Sequence, residues 1–187
     1  MPERVCPWWI GYFLVSPLRR AYQNPARILA PYVRDGMTVL EPGPGMGFFT
    51  LDLARLVGPS GRVVAADLQS RMLDALRRRA AKAGLAERVT TRLAQPGRLG
   101  VSDLAGQADF VLAFAVVHEL PSARTFFAEA AASLRPGGAL LLAEPAGHVS
   151  ADAFADELRA AAAAGLTPQA RPAIRSSRTA LLVKARD

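Results

Sequence analysis

The stretch Val39-Leu40-Glu41-Pro42-Gly43-Pro44-Gly45-Met46-Gly47-Phe48-Phe49-Thr50 constrains the fold of this chain more than any other. A short apolar strand ends in an acid, and a loop with glycine at every second position then opens a helix. Glycine takes φ > 0 without steric cost and lets the backbone approach a ligand where a Cβ would collide. The helix start behind such a turn presents unpaired N–H groups and the positive end of its dipole. Strand, bare loop and helix start together predict a nucleotide-type pocket.

The rest of the chain repeats this alternation. Asn24-Pro25 reads as an N-cap followed by proline at the first helical position, opening a short helix to about Tyr32. Strands are predicted over residues 37–41, 62–66, 88–93 (weakly alternating), 109–114 and 139–143, and helices over 47–57, 69–83, 122–134 and 150–165. Arg135-Pro136-Gly137-Gly138 is predicted to break the third of these helices. Two further extended stretches, 167–171 and 179–185, have only the polar turn Arg175-Ser176-Ser177-Arg178 between them and should form an antiparallel hairpin at one sheet edge. The expected class is therefore α/β, doubly wound and Rossmann-like: a mostly parallel seven-stranded sheet with a C-terminal antiparallel hairpin and helices on both faces. At 187 residues a single domain over 1–187 is the simplest organisation, with a lid or helix segment at 1–35 and a core at 36–187.

Composition excludes several classes. A hydrophobic content of 51% argues against disorder. The single cysteine, Cys6, rules out an internal disulfide framework and a cysteine-based zinc cluster, and suits a reducing cytoplasm. No run approaches the ~18 uninterrupted apolar residues of a membrane span, so no transmembrane segment is expected. The N-terminal segment 5–15 is apolar and aromatic, but Pro7 and Gly11 interrupt it and no small-residue cleavage site follows, so it does not read as a signal peptide. A net charge of +7 leaves nucleic acid open as a partner. All 23 basic residues except Lys82 and Lys184 are arginine, however, and they are spread along the chain. The densest cluster, Arg71, Arg77, Arg78, Arg79 and Lys82, is better explained as a solvated helix face.

The loop's spacing narrows the ligand. A dinucleotide fingerprint needs Gly-x-Gly-x-x-Gly, whereas here Phe48 stands where its third glycine would sit. Glu41, two residues before the first glycine, would repel a pyrophosphate but suits an ammonium group. Asp67 ends the second strand, where a carboxylate can accept hydrogen bonds from both ribose hydroxyls. Ordinary helix-capping or turn acids are the alternative for both, and the glycine loop between them favours the ligand role. The ligand implied has a ribose and a cationic or zwitterionic tail, without phosphates.

Four segments in order carry a resemblance to a known family: Val39 to Gly47, Val63-Val64-Ala65-Ala66-Asp67, Asp109-Phe110-Val111-Leu112-Ala113, and Leu134-Arg135-Pro136-Gly137-Gly138-Ala139-Leu140-Leu141-Leu142. With them the chain resembles the class I S-adenosylmethionine-dependent methyltransferases, most of all the small-molecule branch that includes quinone-biosynthesis enzymes. The resemblance implies S-adenosylmethionine as cofactor and S-adenosylhomocysteine as product. It implies that Glu41 orients the methionine end, that Gly43, Gly45 and Gly47 bare the loop, and that Asp67 takes the ribose hydroxyls with Leu68 against the adenine. Gln95 stands where the family often has an acid near the adenine amine, and Ala115 follows the fourth strand at the cofactor's edge.

The acceptor is sought among the remaining polar residues. Methyl transfer from a sulfonium is an in-line displacement, and a base is needed only if the acceptor carries a proton. His118, with Glu119, follows the fourth strand, and His148 follows the fifth, so all three fall on the functional edge as candidate catalytic groups. The structural alternative is that His118-Glu119 caps the next helix and His148 is a surface loop residue. No spacing demands a metal among Cys6, His118 and His148, and none is expected. Arsenite methyltransferases use several cysteines, and the Asn/Asp-Pro-Pro-Tyr/Phe motif of enzymes acting on planar amino groups is missing after the fourth strand. Trp8, Trp9, Tyr12 and Phe13 are expected to form a lid over the acceptor, with a homodimer contact or a membrane-interface anchor as alternatives. The reading is a cytoplasmic methyltransferase acting on a small apolar or aromatic molecule. An RNA methyltransferase and a non-catalytic S-adenosylmethionine-binding protein are the alternatives.

Overall fold

A computed structural model describes residues 17–186. The elements run α1 (Pro17–Tyr22), α2 (Pro25–Leu29), β1 (Thr38–Pro42), α3 (Thr50–Leu56), β2 (Arg62–Asp67), α4 (Ser70–Lys82) and β3 (Val89–Leu93). They continue with β4 (Ala108–Phe114), α5 (Ala123–Ser133), β5 (Leu134–Pro145), α6 (Ala151–Ala163), β6 (Leu166–Ala170) and β7 (Ser177–Lys184). The seven strands form one sheet in the order β3-β2-β1-β4-β5-β7-β6. The first five pair in parallel, and β7 lies antiparallel between β5 and β6. Pro168 sits in β6, the outermost strand, where a missing N–H costs least.

Successive residues of a strand point to opposite faces, and the core divides accordingly. Val39, Val63, Ala65, Phe110, Leu112 and Leu141 pack with Leu29 of α2, Leu53 of α3 and Leu76 of α4. Leu40, Val64, Val111, Leu140, Leu142 and Leu182 pack on the other side with Phe126 and Phe127 of α5 and Phe154 of α6. Both faces are covered, which is why these strands read as continuous apolar runs. Three helices start where their caps predict. Asn24, Ser122 and Ser150 accept from the backbone N–H of Arg27, Thr125 and Ala153 at 3.2, 3.1 and 3.1 Å.

Two boundaries differ from expectation in ways that bear on the site. α3 begins at Thr50 rather than Gly47, because Gly45 and Gly47 hold φ of +54° and +84°, outside the helical region. α5 ends at Ser133, just before the predicted breaker residues 135–138, but those residues already belong to β5, which starts at Leu134 rather than Ala139: Leu134 pairs with Ala108 before a register shift leads to Ala139 opposite Phe110. No helix among the described residues is long and apolar enough to cross a membrane.

Candidate active site

Parallel strands bring their carboxyl ends to one edge, and here they open on a cavity of about 550 Å³ lined by residues from Arg19 to Ser177. It lies where the strand order reverses between β1 and β4, the usual place for a ligand in a doubly wound sheet. Glu41, Gly43, Gly45, Asp67, Leu68, Gln95 and Ala115 all line it, as do His118, Glu119 and His148. Trp8, Trp9, Tyr12, Phe13 and Cys6 lie outside the described residues.

Glu41 is buried to 3% exposure, and its Oε2 has no hydrogen-bond partner among the described residues. Burial pushes its carboxyl up to about 8; the Thr50 hydroxyl beside it pulls the other way, and the charge of Asp67 adds to the rise. A buried carboxyl oxygen left open at a cavity wall is costly unless a ligand supplies the donor. This is not a helix cap.

Asp67 is the hinge of the loop. Its Oδ2 accepts from Gly45 N–H at 3.2 Å and its Oδ1 from Gln69 N–H at 2.9 Å. Burial raises its pKa, and these backbone bonds offset part of that. A carboxylate has lone pairs left beyond the two used here. Gly43 holds φ +65°, and a Cβ there would meet Val116 Cγ2 at 2.7 Å. Arg79 ties the loop to α4 by donating to the Met46 carbonyl. Part of the basic α4 face is thus structural, with Arg77 bound to Asp74 and Thr91.

Gly47 departs from its expected role. It is not among the cavity-lining residues, and a Cβ on it would come within 2.4 Å of Leu76 Cδ1. It lets α4 pack against the loop. Gly47→Ala should therefore lower stability by about 1–3 kcal/mol in urea unfolding. Gly45→Ala meets nothing within 4 Å, so it should lose only about 1–2 kcal/mol from its left-handed backbone.

The other half of the cavity holds the histidines. His118 sits in a short 3₁₀ turn, Val117–Glu119, after β4, and the cap of α5 is Ser122 rather than His118 or Glu119. Its Nδ1 is hydrogen-bonded to Oε2 of Glu144, a fully buried residue near the end of β5. That bond raises the pKa of His118 against the opposing effect of burial, and the charges of Glu144, Glu119 and Glu157 add to the rise. The His148 ring lies 6.1 Å from that of His118, centroid to centroid. Glu157 of α6 is also buried, with Oε2 unpartnered, and burial together with the charge of Glu144 lifts it to about 7. The sequence reading passed over Glu144 and Glu157. An acid closing a buried strand, as at Glu41 and Asp67, was the available signal for Glu144; Glu157 had none.

Two non-glycine residues among those described hold positive φ, Ala115 at 53° and Ser176 at 57°, and both flank or line this cavity. No group of three or more His, Cys, Asp or Glu among the described residues is arranged to hold a metal.

An open glycine loop, an orphaned buried acid and a strand-end aspartate define a pocket for a nucleoside with a cationic tail, and a methyltransferase is the class of protein that they fit. The methyltransferase domain model matches residues 39–138, and the chain belongs to that family. An arsenite methyltransferase of Halobacterium salinarum is 35% identical over 58% of this chain and 27% of its own length. A ubiquinone/menaquinone biosynthesis C-methyltransferase of Hahella chejuensis is 33% identical over 60% of this chain and 44% of its own. The chain thus matches about a quarter of the first relative and less than half of the second. A solved S-adenosylmethionine-dependent methyltransferase of Aquifex aeolicus superposes with a TM-score of 0.83 over 96% of this chain and 98% of its own at 22% identity, a likeness of fold. The cofactor of such enzymes is S-adenosylmethionine, and S-adenosylhomocysteine is the product left after transfer. The residues present suit it: Glu41 offers an unpaired oxygen to its ammonium, and Asp67 has lone pairs for its ribose.

Proposed function

We propose that this protein is a cytoplasmic enzyme that moves the methyl group of S-adenosylmethionine to a small apolar or aromatic molecule. The observation that carries the reading is the unpaired Oε2 of Glu41, buried at the wall of a cavity that runs on to His118 and His148. In this reading Glu41 faces the cofactor's ammonium, Gly43 and Gly45 let the backbone close on its methionine end, and Asp67 accepts from the ribose. Leu68 and Gln95 flank the adenine, and Ala115 borders the sulfonium. Gly47 acts through packing.

The acceptor takes the half of the cavity with His118, Glu119 and His148. The mainly apolar lining, with Phe48, Phe114 and Phe126, supports an apolar or aromatic molecule. The likeness to a C-methyltransferase of quinone biosynthesis supports the same choice. Arg19 and Gln23 line the cavity, and the Arg19 guanidinium lies 4.2 Å over the Phe48 ring. The chain just after the aromatic N-terminus therefore reaches the rim, which supports Trp8, Trp9, Tyr12 and Phe13 as a lid rather than a homodimer contact. Within this reading residues 1–187 act as one unit, with Leu29 and Val33 of the N-terminal 35 residues built into the core.

The test is incubation with methyl-labelled S-adenosylmethionine and a whole-cell extract that retains metabolites, RNA and protein. Label should pass to a low-molecular-weight, organic-soluble product. Label found only in RNA or protein would overturn the assignment, as would filter binding of RNA with a steep salt dependence.

A further inference from the structure

Cofactor binding leaves a buried polar cluster unused. Glu144 accepts three hydrogen bonds with its two oxygens: Oε1 takes the N–H groups of Val116 and Val117 at 3.2 and 2.9 Å, and Oε2 takes His118. Those two N–H groups open the turn that carries His118. One carboxylate from β5 thus fixes both the backbone of the turn and the ring projecting from it. With Nδ1 committed to Glu144, Nε2 is the nitrogen left for the cavity, and the His118 side chain is 22% exposed there.

We propose that Glu144 is a positioning residue that holds His118 as a general base with Nε2 toward the acceptor, so that the acceptor is a molecule losing a proton as it is methylated, a hydroxyl or an acidic carbon. This rests on the methyl-transfer reading above. For a hydroxyl acceptor, the O–H bond breaks and its proton passes to Nε2. The oxygen's electron pair forms the new bond to the methyl carbon. The sulfur–carbon bond breaks with its pair retained on sulfur, leaving a neutral thioether. The positive charge that began on the sulfonium ends on the imidazolium, directly against Glu144, so the pairing strengthens as the reaction proceeds. An amine free base or a thiolate needs no such partner.

The three acidic groups around His118 favour that outcome. Glu144 faces it from β5, Glu157 from α6 and Glu119 from its own turn, while His148 approaches from the loop after β5. A raised pKa means that the ring becomes a free base only above its ordinary titration range.

Histidine NMR titration decides the matter without knowledge of the acceptor, since the chain has two histidines and a His148→Gln sample assigns them. In the wild type, His118 should titrate above ~6.5 and carry its neutral proton on Nδ1. Glu144→Gln should lower that pKa and mix the tautomers, and Glu144→Asp should restore part of the shift. A neutral ring protonated on Nε2 in the wild type, or an unchanged titration in Glu144→Gln, overturns the proposal. With the acceptor found by the labelled screen, His118→Gln should reduce kcat about 10²-fold or more with the cofactor KM unchanged. Glu144→Gln should move the acidic limb of kcat to lower pH, and a product methylated on an amine nitrogen or a thiol sulfur would again overturn the proposal. Calorimetry with S-adenosylhomocysteine on the same samples tells failure of the cofactor reading apart from failure of this one.

Discussion

Asp67→Ala should weaken S-adenosylhomocysteine binding by on the order of 10²-fold or more in calorimetry. A hydrogen bond to a charged group contributes about 1.5–3 kcal/mol, and a ribose offers two hydroxyls to this carboxylate. The same side chain also holds Gly45 N–H and Gln69 N–H, so its removal loosens the loop that would surround the methionine end. Asp67→Asn separates the two roles. The amide keeps one oxygen acceptor but lacks the charge, so its affinity should fall between those of the wild type and the alanine variant. An unchanged Kd in Asp67→Ala would remove the ribose from this residue.

Glu41 should make cofactor affinity rise with pH. In the free protein its carboxyl stays neutral until about 8, because burial disfavours the charge. An adjacent ammonium favours the charged form, so binding near neutrality releases a proton. Affinity should improve between pH 6 and 8 by up to about tenfold per unit, and Glu41→Gln should flatten that dependence and bind more weakly at pH 8. The same group sets a stability slope. Its carboxyl ionises near the model-compound value of 4.5 when unfolded and near 8 when folded. The stability tied to its neutral form is full below 4.5 and is lost as pH rises through the folded pKa. Without cofactor, the wild type should therefore lose about 2 kcal/mol more than Glu41→Gln between pH 6 and 8 in urea unfolding. Parallel stability curves for the two proteins would contradict this.

Much of the site was legible because its signals are local. Glu41, Gly43, Gly45 and Asp67 follow from a strand end and the turn after it, within reach of one another along the chain. Caps at Asn24, Ser122 and Ser150 act over three residues. Gly47 looked like its neighbours, since spacing alone cannot distinguish a glycine bared for a ligand from one bared for Leu76. The start of β5 at Leu134 was hidden by Pro136-Gly137-Gly138, whose breaker residues an extended strand with a register shift accommodates.

By itself, the order of apolar runs and helix signals determined an α/β sheet with both faces covered, and the glycine loop with its acids determined the class of donor. Both rest on short-range rules of backbone sterics and side-chain period. Only the tertiary structure brought His118 against Glu144, which stands 26 residues away on the neighbouring strand and meets it through parallel pairing of β4 with β5. It also decided that Glu41 lacks a partner, since burial depends on every element that closes over a side chain.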